Sequence, residues 1–286
     1  MKKTDINYKN KICCGIVTYN PDVKVLKDNI NNIINQVNFI IIVDNNSKNI
    51  NEIEKIYQKI HNVHLIKNKK NLGIAKALNQ IFSFAKKQNY DWVLTLDQDT
   101  ISGTNMVKKL SKNIFKSNIG IICPRVKYFN HSDNNEFKSD TEYVRACMTS
   151  GSLTSVKAWL DVDGFDEWMF IDYVDNDFDM KLELNNYKIL RDNDAVMYHR
   201  LGEAEEKKIW FLSFMIYNHS AFRNYYYVRN SIYFIKKYQE HISVVKYILI
   251  LIMWESKKLF FEDNKFKTLK TFFKGFYDGI SEGCRK

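Results

Sequence analysis

The stretch FIIIVDNNS, residues 39–47, joins an unbroken apolar run to a polar end. A run of this kind is typical of a strand that is buried on both faces of a parallel sheet. Two other stretches share the pattern: KICCGIVTY, residues 11–19, stops before Asn20-Pro21, and DWVLTLDQDT, residues 91–100, ends in acids. Together these three stretches predict the centre of a largely parallel sheet.

Helical patterns separate the predicted strands. Apolar residues from Val25 to Val37 recur at the spacing of one helical face. Because strand and helix patterns alternate, the sequence predicts an α/β domain built on a doubly wound, mixed sheet. The remaining predicted elements are helices over residues 51–60, 73–87 and 106–115 and strands over residues 63–67 and 119–126.

Polar side chains follow three of the predicted strands. In doubly wound sheets, ligands bind beyond the carboxyl ends of the strands. A turn is the simpler interpretation of any one polar cluster, whereas three clusters at one edge favour a ligand site. The clusters are Thr18, Tyr19 and Asn20; Asp44, Asn45, Asn46 and Ser47; and Asp97, Gln98 and Asp99.

Asp97 and Asp99 lie two residues apart at the end of an apolar strand. Mg²⁺ and Mn²⁺ prefer oxygen ligands and commonly bridge carboxylates to substrate phosphates. Such an ion acts as a Lewis acid on a diphosphate leaving group. Asp44, which ends another strand, is expected to accept a hydrogen bond from a pyrimidine N–H. The alternative for Asp44 is an Asx turn or a helix cap.

Acidic side chains also crowd into DYVDNDFD, residues 172–179. Carboxylates this close repel one another unless a cation or raised pKa values relieve them. The alternative is the acidic first turn of a helix, which the helix dipole favours. His199 ends another apolar stretch, and by itself it is more simply a structural histidine. The four acids are Asp172, Asp175, Asp177 and Asp179.

Beyond Leu201 the pattern becomes helical and rich in aromatic residues. Residues 236–286 contain eleven Lys or Arg and six Asp or Glu, an excess of five positive charges. A basic amphipathic helix is typical of binding to an anionic membrane surface. Packing of its aromatic face against the catalytic domain is the alternative. The predicted aromatic face comprises Phe266, Leu269, Phe272, Phe273, Phe276, Tyr277 and Ile280.

Composition limits the remaining possibilities. The formal net charge of +10 over 286 residues is consistent with three kinds of binding partner: a nucleic acid, an anionic membrane or a phosphorylated substrate. With no zinc-finger or RNP signature, we expect no nucleic-acid partner. The sequence has no signal-peptide pattern, and its longest apolar stretch, residues 248–254, is too short to cross a bilayer. Five cysteines without metal-site spacing predict reduced thiols. These features predict a cytoplasmic protein.

Eight motifs resemble those of glycosyltransferase family 2, whose members have the GT-A fold, and they occur in that family's order. The resemblance is greatest to its bacterial rhamnosyltransferase branch and covers residues 13–238. The motifs are IVTYNP, VDNNS, NLGIAKALN, LDQDT, TSGSL, GFDEWMFIDYVDNDF, MYHRLGE and RNYYYVRN.

This resemblance implies an inverting, single-displacement transfer of a sugar from a nucleotide diphosphate. It implies that Asp97 and Asp99 bind ribose, diphosphate and a Mg²⁺ or Mn²⁺ ion, with His199 as a further metal ligand. The residues implied to hold the nucleotide are Thr18, Tyr19, Asn20, Asp44 and Asp97, with Asn71 and Gly73 nearby.

The resemblance also assigns the general base to Asp175. Many members of the family have an acid just before this base, where this chain has Val174, as the rhamnosyltransferase branch often does. Gly151 and Ser152 are implied to line the donor-sugar pocket. Asp172 and Asp177 are expected to orient the acceptor or to cap the helix.

The expected function is transfer of L-rhamnose from dTDP-rhamnose to a lipid-linked surface glycan at the cytoplasmic face of the membrane. The alternative donor is UDP-linked glucose, galactose or galactofuranose. We expect a catalytic domain over residues 1–203 and a membrane-associating helical extension over residues 204–286. Two other classes of protein fit the sequence less well. A nucleotidyltransferase would carry a Gly-rich Arg/Lys loop near the first strand, and the sequence shows none there. A non-catalytic basic binding module would not need the acids at positions 97, 99 and 175.

Overall fold

The computed structural model describes residues 11–58, 60–128, 139–199, 205–209, 212–216, 220–261 and 265–282. The chain divides into two compact units. The sheet unit comprises Met1–Trp168 and Asp175–Arg200, and the helical unit comprises Met169–Val174 and Leu201–Lys286. The short segment Met169–Val174, which the sequence places in the catalytic domain, therefore groups with the C-terminal helices.

The sheet unit is built on a mixed sheet of nine described strands in the spatial order β3-β2-β1-β4-β8-β6-β9-β5, with β7 also paired to β9. Strands β1 to β4 pair in parallel, β8 runs antiparallel between β4 and β6, and β6 and β9 are parallel. The strands are β1 (Ile12–Thr18), β2 (Ile40–Asp44), β3 (Val63–Lys67), β4 (Trp92–Asp97), β5 (Ile101–Ser102), β6 (Ile119–Tyr128), β7 (Thr141–Val144), β8 (Leu153–Ser155) and β9 (Lys188–His199).

The order of the strands reverses beside β1, because β2 and β3 lie on one side of it and β4 lies on the other. The register aligns Thr18 with Asp44 and Val17 with Asp97. The polar ends of β1, β2 and β4 therefore meet at one edge of the sheet, as the sequence predicts, and a reversal of this kind opens a crevice for a ligand.

Within the described part of the sheet unit, six helices accompany the sheet, and their apolar faces form the core with the strands. Strand β2 is buried along its whole length, as expected for a central parallel strand. Helix α3 approaches β1 closely, because a Cβ atom at Gly15 would lie 2.4 Å from a methyl group of Ile81. The helices are α1 (Val23–Ile33), α2 (Ile50–Tyr57), α3 (Ile74–Lys87), α4 (Met106–Ser111), α5 (Val156–Asp161) and α6 (Val174–Leu184).

Two helices end earlier than the sequence predicts. Helix α2 gives way to a tighter turn, in which the Ile60 amide bonds to the Tyr57 carbonyl. Helix α4 ends at Ser111 rather than residue 115, and the side-chain amide of Asn113 bonds to the buried carboxylate of Asp192 at 2.9 Å. These tertiary contacts fix boundaries that the local periodicity leaves open.

The helical unit contains α7 (Ala221–Lys237), α8 (Val244–Phe261), α9 (Lys265–Glu282) and a hairpin of β10 (Glu205–Ile209) and β11 (Leu212–Ile216). Helix α9 packs against α7 through two glycines. A Cβ atom at Gly275 would lie 2.7 Å from the Tyr225 carbonyl oxygen, and one at Gly279 would lie 2.6 Å from that of Arg229. Only residues without a side chain allow the two backbones to approach so closely.

Among the helices that the structure describes, none combines the length and apolarity needed to cross a membrane.

Four cysteines lie within the described residues, and all four are free thiols. Cys13, Cys14 and Cys123 are buried and Cys147 is half-buried. Burial raises the pKa of Cys13 and Cys14, so these thiols stay protonated. Cys284 lies outside the described residues.

Candidate active site

The carboxylate of Asp44 organises the loops that follow β1 and β2. It is only 1% exposed. It accepts hydrogen bonds from the Thr18 hydroxyl at 2.9 Å, from the Ser47 amide at 2.8 Å and from the Ser47 hydroxyl. A carboxylate has about four acceptor positions, so these bonds leave roughly one for a ligand. This geometry gives Asp44 a structural role, with limited capacity for a pyrimidine N–H.

Tyr19 and Asn20 are tied to neighbouring loops by their backbones. The Tyr19 amide donates to the side chain of Gln98 at 2.9 Å, and the Asn20 amide donates to the Ser47 hydroxyl at 2.8 Å. Asn20 adopts a left-handed φ of 47°, which asparagine tolerates better than most residues. The ring of Tyr19 is exposed at this edge, where it is free to contact a flat base.

Asn71 and Gly73 lie in the loop that precedes α3, and Asn45 holds this loop. The Asn45 side chain donates to the Gly73 carbonyl at 3.1 Å, and Asn71 accepts from the Gly73 amide at 2.9 Å. Gly73 has a φ of 84°, a conformation that favours glycine. The sequence places Asn45 in one of the polar clusters at the sheet edge without a role of its own, whereas the structure gives it the central position between β2 and this loop.

Asp97, Asp99 and His199 come together from the ends of different strands. Their potential ligand atoms all lie within 4.8 Å of one another. Each side chain is half-buried, so the group is reachable from solvent and partly shielded from it. Two carboxylates and an imidazole can bind a divalent cation such as Mn²⁺ or Mg²⁺ and leave positions for the phosphate oxygens of a substrate. The predicted convergence of these three residues is what the structure shows.

Gly151 and Ser152, predicted to line the donor pocket, lie in a tightly held loop that precedes β8. The φ of Gly151 is +82°, and a Cβ atom there would lie 2.2 Å from the Met197 sulfur. The Ser152 hydroxyl donates to the Met148 carbonyl at 2.6 Å. Both residues are buried. Their visible role is to shape this loop, and contact with a donor sugar stays a prediction.

The acids of DYVDNDFD lie in different environments. Asp177 is 0% exposed, and its carboxylate lies 3.6 Å from the Lys181 ammonium one helical turn away. Asp179 is also buried and accepts the Cys147 amide at 2.9 Å. Burial raises the pKa of Asp179 well above its ordinary value, and the negative charge of nearby Asp175 adds to the increase. The burial of Asp177 favours the structural alternative for that residue.

Asp175 and Asp172 are the more accessible of the four acids. Asp175 is half-buried in the first turn of α6 and accepts the Asn176 amide at 2.9 Å. Asp172 belongs to the helical unit, where it forms an ion pair with Arg223 at 3.0 Å. Its carbonyl and that of Ile171 each accept the Asn230 side chain at 2.8 Å. Arg223 and Asn230 lie in the motif RNYYYVRN, whose sequence pattern by itself assigns neither residue a role.

A mixed sheet with a pair of carboxylates at the point where its strand order reverses is the arrangement expected of a GT-A glycosyltransferase, and a family model identifies the class. The sequence model of Glycosyl transferase family 2 matches residues 13–175, more than half of the chain. The chain belongs to this family, which confirms the prediction. Family membership also favours an enzyme over a non-catalytic binding module or a nucleotidyltransferase.

The chain is similar along most of its length to the dTDP-rhamnosyl transferase RfbF of Shigella flexneri. The two sequences are 28% identical over 297 residues, which cover 95% of this chain and 96% of that protein. A glycosyltransferase of Methanocaldococcus jannaschii is 32% identical over 134 residues, which cover 44% of this chain and 45% of that protein. The first of these similarities supports the predicted rhamnosyltransferase branch.

Solved structures share the fold at low sequence identity. S. aureus TarS in complex with UDP-GlcNAc has a TM-score of 0.61 at 17% identity, covering 95% of this chain and 81% of that one. GalNAc-T7 with UDP, GalNAc and Mn²⁺ has a TM-score of 0.59 at 13% identity, covering 95% of this chain and 56% of that one. These similarities confirm the predicted fold class.

Proposed function

We propose that this protein transfers L-rhamnose from dTDP-rhamnose to a lipid-linked surface glycan, and that a divalent cation assists the reaction. The observation that carries the proposal is the convergence of Asp97, Asp99 and His199 at the reversal point of a family 2 fold. The choice of donor rests on the similarity to the Shigella dTDP-rhamnosyl transferase, which extends over 95% of the chain.

In the proposed reaction, the acceptor hydroxyl attacks the anomeric carbon of rhamnose while the bond from that carbon to the diphosphate oxygen breaks. Attack from the face opposite to the leaving dTDP inverts the anomeric configuration. A Mg²⁺ or Mn²⁺ ion bound by Asp97, Asp99 and His199 would neutralise charge on the leaving diphosphate. The residues Thr18, Tyr19, Asn20 and Asp44, with the loop of Asn71 and Gly73, would hold the nucleotide.

Asp175 is the general base in this proposal. A hydroxyl is a poor nucleophile at neutral pH, so a carboxylate must take its proton as the new bond forms. Asp175 is half-buried at the start of α6, whereas Asp177 and Asp179 are buried. Among the acids of the sheet unit in this motif, Asp175 is therefore the one most accessible to an acceptor.

Donor binding tests the assignment of function. Competition for the purified enzyme should favour dTDP-rhamnose over UDP-glucose and UDP-galactose, and a chelator should weaken donor binding. Asp99→Ala should lose the metal-dependent part of that binding. Tighter binding of a UDP-hexose would establish the alternative donor, and full activity of Asp99→Ala with chelator present would exclude the metal.

The helical unit supports a second part of the proposal, which is attachment to an anionic membrane surface on the cytoplasmic side. On α9 most of the predicted aromatic face is exposed, with Phe273 at 65% and Tyr277 at 72%, whereas Phe272 packs against the buried cluster of Val228, Ile232 and Leu251. Exposed apolar residues on α8 extend this surface, which we call the apolar surface. It consists of Val245, Ile248, Leu249, Ile252, Met253 and Phe260 on α8 and Phe266, Leu269, Phe273, Phe276, Tyr277 and Ile280 on α9.

Lysines on α9 add the positive charge that binding to an anionic membrane would use. Lys265, Lys267, Lys270 and Lys274 of α9 are exposed among the aromatic side chains. An amphipathic helix with such a composition lies in the interface of a bilayer, and each basic residue near an anionic surface adds about 1 kcal/mol. A lipid-linked acceptor would then reach the enzyme by diffusion within the membrane.

A further inference from the structure

Two buried hydroxyl groups connect the residues of the candidate metal site. The Thr100 hydroxyl oxygen lies 3.1 Å from Nδ1 of His199 and 2.8 Å from the hydroxyl oxygen of Ser150. The Ser150 oxygen in turn accepts the backbone amide of Asp97 at 2.9 Å. Thr100 is 0% and Ser150 is 3% exposed, so water does not compete for these bonds.

The position of Ser150 is itself fixed by strand β4. The Thr95 hydroxyl donates to the Thr149 carbonyl, and the Thr95 carbonyl accepts the Gly151 amide at 2.7 Å. Both neighbours of Ser150 are thus bonded to one residue of the strand that ends in Asp97. The loop of the predicted donor pocket is therefore connected through Ser150 to Asp97, and through Ser150 and Thr100 to His199.

We propose that Thr100 and Ser150 are positioning residues that fix the tautomer and the orientation of His199 for binding a divalent cation. A metal-binding histidine generally donates its other ring N–H to a fixed acceptor, which sets the tautomer. In the proposed arrangement, Nδ1–H of His199 donates to the Thr100 oxygen, and the Thr100 hydroxyl donates to the Ser150 oxygen. The lone pair of Nε2 is then left for the cation.

The proposed direction of these bonds is one of two that the heavy atoms allow. The Asp97 amide can only donate, so it occupies one of the two acceptor positions of the Ser150 oxygen. In the proposed direction, the Thr100 hydroxyl occupies the second acceptor position. In the opposite direction, Ser150 would donate to Thr100 and Thr100 would donate to Nδ1, which would leave Nε2 protonated and unable to bind a metal. The proposal therefore predicts a specific, measurable proton position on His199.

Nitrogen NMR of the metal-free, unmodified protein tests this proton position without any substitution. At about pH 9, well above the ordinary histidine pKa of about 6.5, the ¹⁵N shifts of His199 should report Nδ1–H. The His199 signals are assigned by their loss in His199→Gln. A neutral ring protonated on Nε2 would overturn the proposal.

Metal binding by variants tests the consequence. In the presence of dTDP, Thr100→Val, which keeps the shape and removes the hydroxyl, should weaken Mn²⁺ binding by roughly 10- to 100-fold. Thr100→Ser, which keeps the hydroxyl, should restore affinity to within a few-fold of the unmodified protein. A purely structural role would lower the melting temperature of Thr100→Val and leave the Mn²⁺ affinity unchanged, and this result would overturn the proposal.

Because this inference rests on the proposed metal site, His199→Ala and Asp99→Ala are measured in the same titration. Loss of Mn²⁺ affinity in Asp99→Ala but not in His199→Ala would keep the metal and remove His199 and Thr100 from its binding. No change in either variant would mean that the metal site itself is wrong. Ser150→Ala provides an independent check, because it should weaken Mn²⁺ binding in the same direction as Thr100→Val.

Discussion

The sheet unit and the helical unit differ in how many of their large apolar side chains are exposed, because most of those that the structure describes as exposed lie in the helical unit. In the sheet unit the buried residues are mainly Ile, Val and Leu, and the whole of β2 is apolar and buried up to its final aspartate. In the helical unit, Asn224, Glu255 and Lys258 are buried, whereas large apolar side chains of α8 and α9 are exposed. A protein that folds in water tends to bury its apolar surface, so the exposed side chains of α8 and α9 are the ones that the proposed membrane attachment would cover.

The buried polar groups of the helical unit form one connected network. The Lys258 ammonium lies 2.9 Å from the Glu255 carboxylate and also bonds to the side-chain oxygen of Asn224. The Asn224 side chain donates to Glu255 and to the Thr271 hydroxyl, both at 3.1 Å. This network joins α7, α8 and α9 through hydrogen bonds, and a small apolar cluster of Val228, Ile232, Leu251 and Phe272 also links the three helices. The comparison of the units shows that the polar site at the sheet edge and the exposed apolar surface consist of separate sets of residues.

The largest expected effect is a loss of transfer activity, caused by a substitution in the sheet unit. Asp175→Asn keeps the shape of the side chain and removes its basicity, so transfer should fall by about 10²- to 10⁴-fold. Donor affinity and binding to lipid vesicles should persist, since neither depends on this proton transfer. Steady-state kinetics, donor titration and vesicle flotation measure the three quantities. Near-normal transfer here, together with a collapse in Asp172→Asn or Asp177→Asn, would move the base to that residue.

The next effect concerns the buried network of the helical unit. Lys258→Met leaves the Glu255 carboxylate buried without its cation, and removing one partner of such a pair costs about 3–5 kcal/mol. Hydrogen exchange in α7, α8 and α9 should therefore increase. The double variant Lys258→Met/Glu255→Leu should recover most of the lost protection, because two apolar side chains need no partner. Unchanged exchange in Lys258→Met would mean that the network does not stabilise the unit.

A moderate effect is expected on membrane binding. Burying a phenylalanine contributes about 1.5–3 kcal/mol, so Phe273→Glu should reduce binding to anionic vesicles by roughly 10- to 100-fold. Phe115→Glu is the matched control, because Phe115 is 70% exposed but lies in the sheet unit. Binding should rise with the anionic lipid content and fall with salt. Equal loss in both variants, or no dependence on lipid charge, would contradict attachment through the apolar surface.

The smallest effect is expected for Leu249→Ala in the absence of lipid, and Leu94→Ala provides the buried comparison. Leu94 is fully buried in β4, and Leu94→Ala should destabilise the protein by about 2–5 kcal/mol because it leaves a cavity. Leu249 is exposed on α8, and Leu249→Ala should stay within about 0.5 kcal/mol of the unmodified protein. Chemical denaturation provides both values. A large loss of stability in Leu249→Ala would show that the apolar surface is covered within the protein in solution.

The sequence predicts the sheet correctly because its strands have clear local patterns, and the same patterns place the polar residues of the candidate site at one edge. The apolar runs that end in Thr18, Asp44 and Asp97 identify parallel strands, and parallel strands bring their carboxyl ends to one edge. Asp97, Asp99 and His199 are chosen through a family resemblance, and the structure brings them together. The sequence also identifies the aromatic side of α9, since helical periodicity alone defines which residues share a face.

Tertiary structure decides which side of a helix faces inward and which acid is accessible. Periodicity is the same whether the aromatic face of α9 packs or is exposed, and the contacts of Gly275 and Gly279 with α7 select the opposite face for packing. Likewise, residues 172–179 contain four aspartates of one chemical type, and only the fold buries Asp177 and Asp179 while leaving Asp175 half-buried. The hydroxyls of Thr100 and Ser150 become neighbours of His199 only when strands distant in sequence meet. Sequence patterns define faces and strand ends, whereas burial and proton positions depend on contacts between residues far apart in the chain.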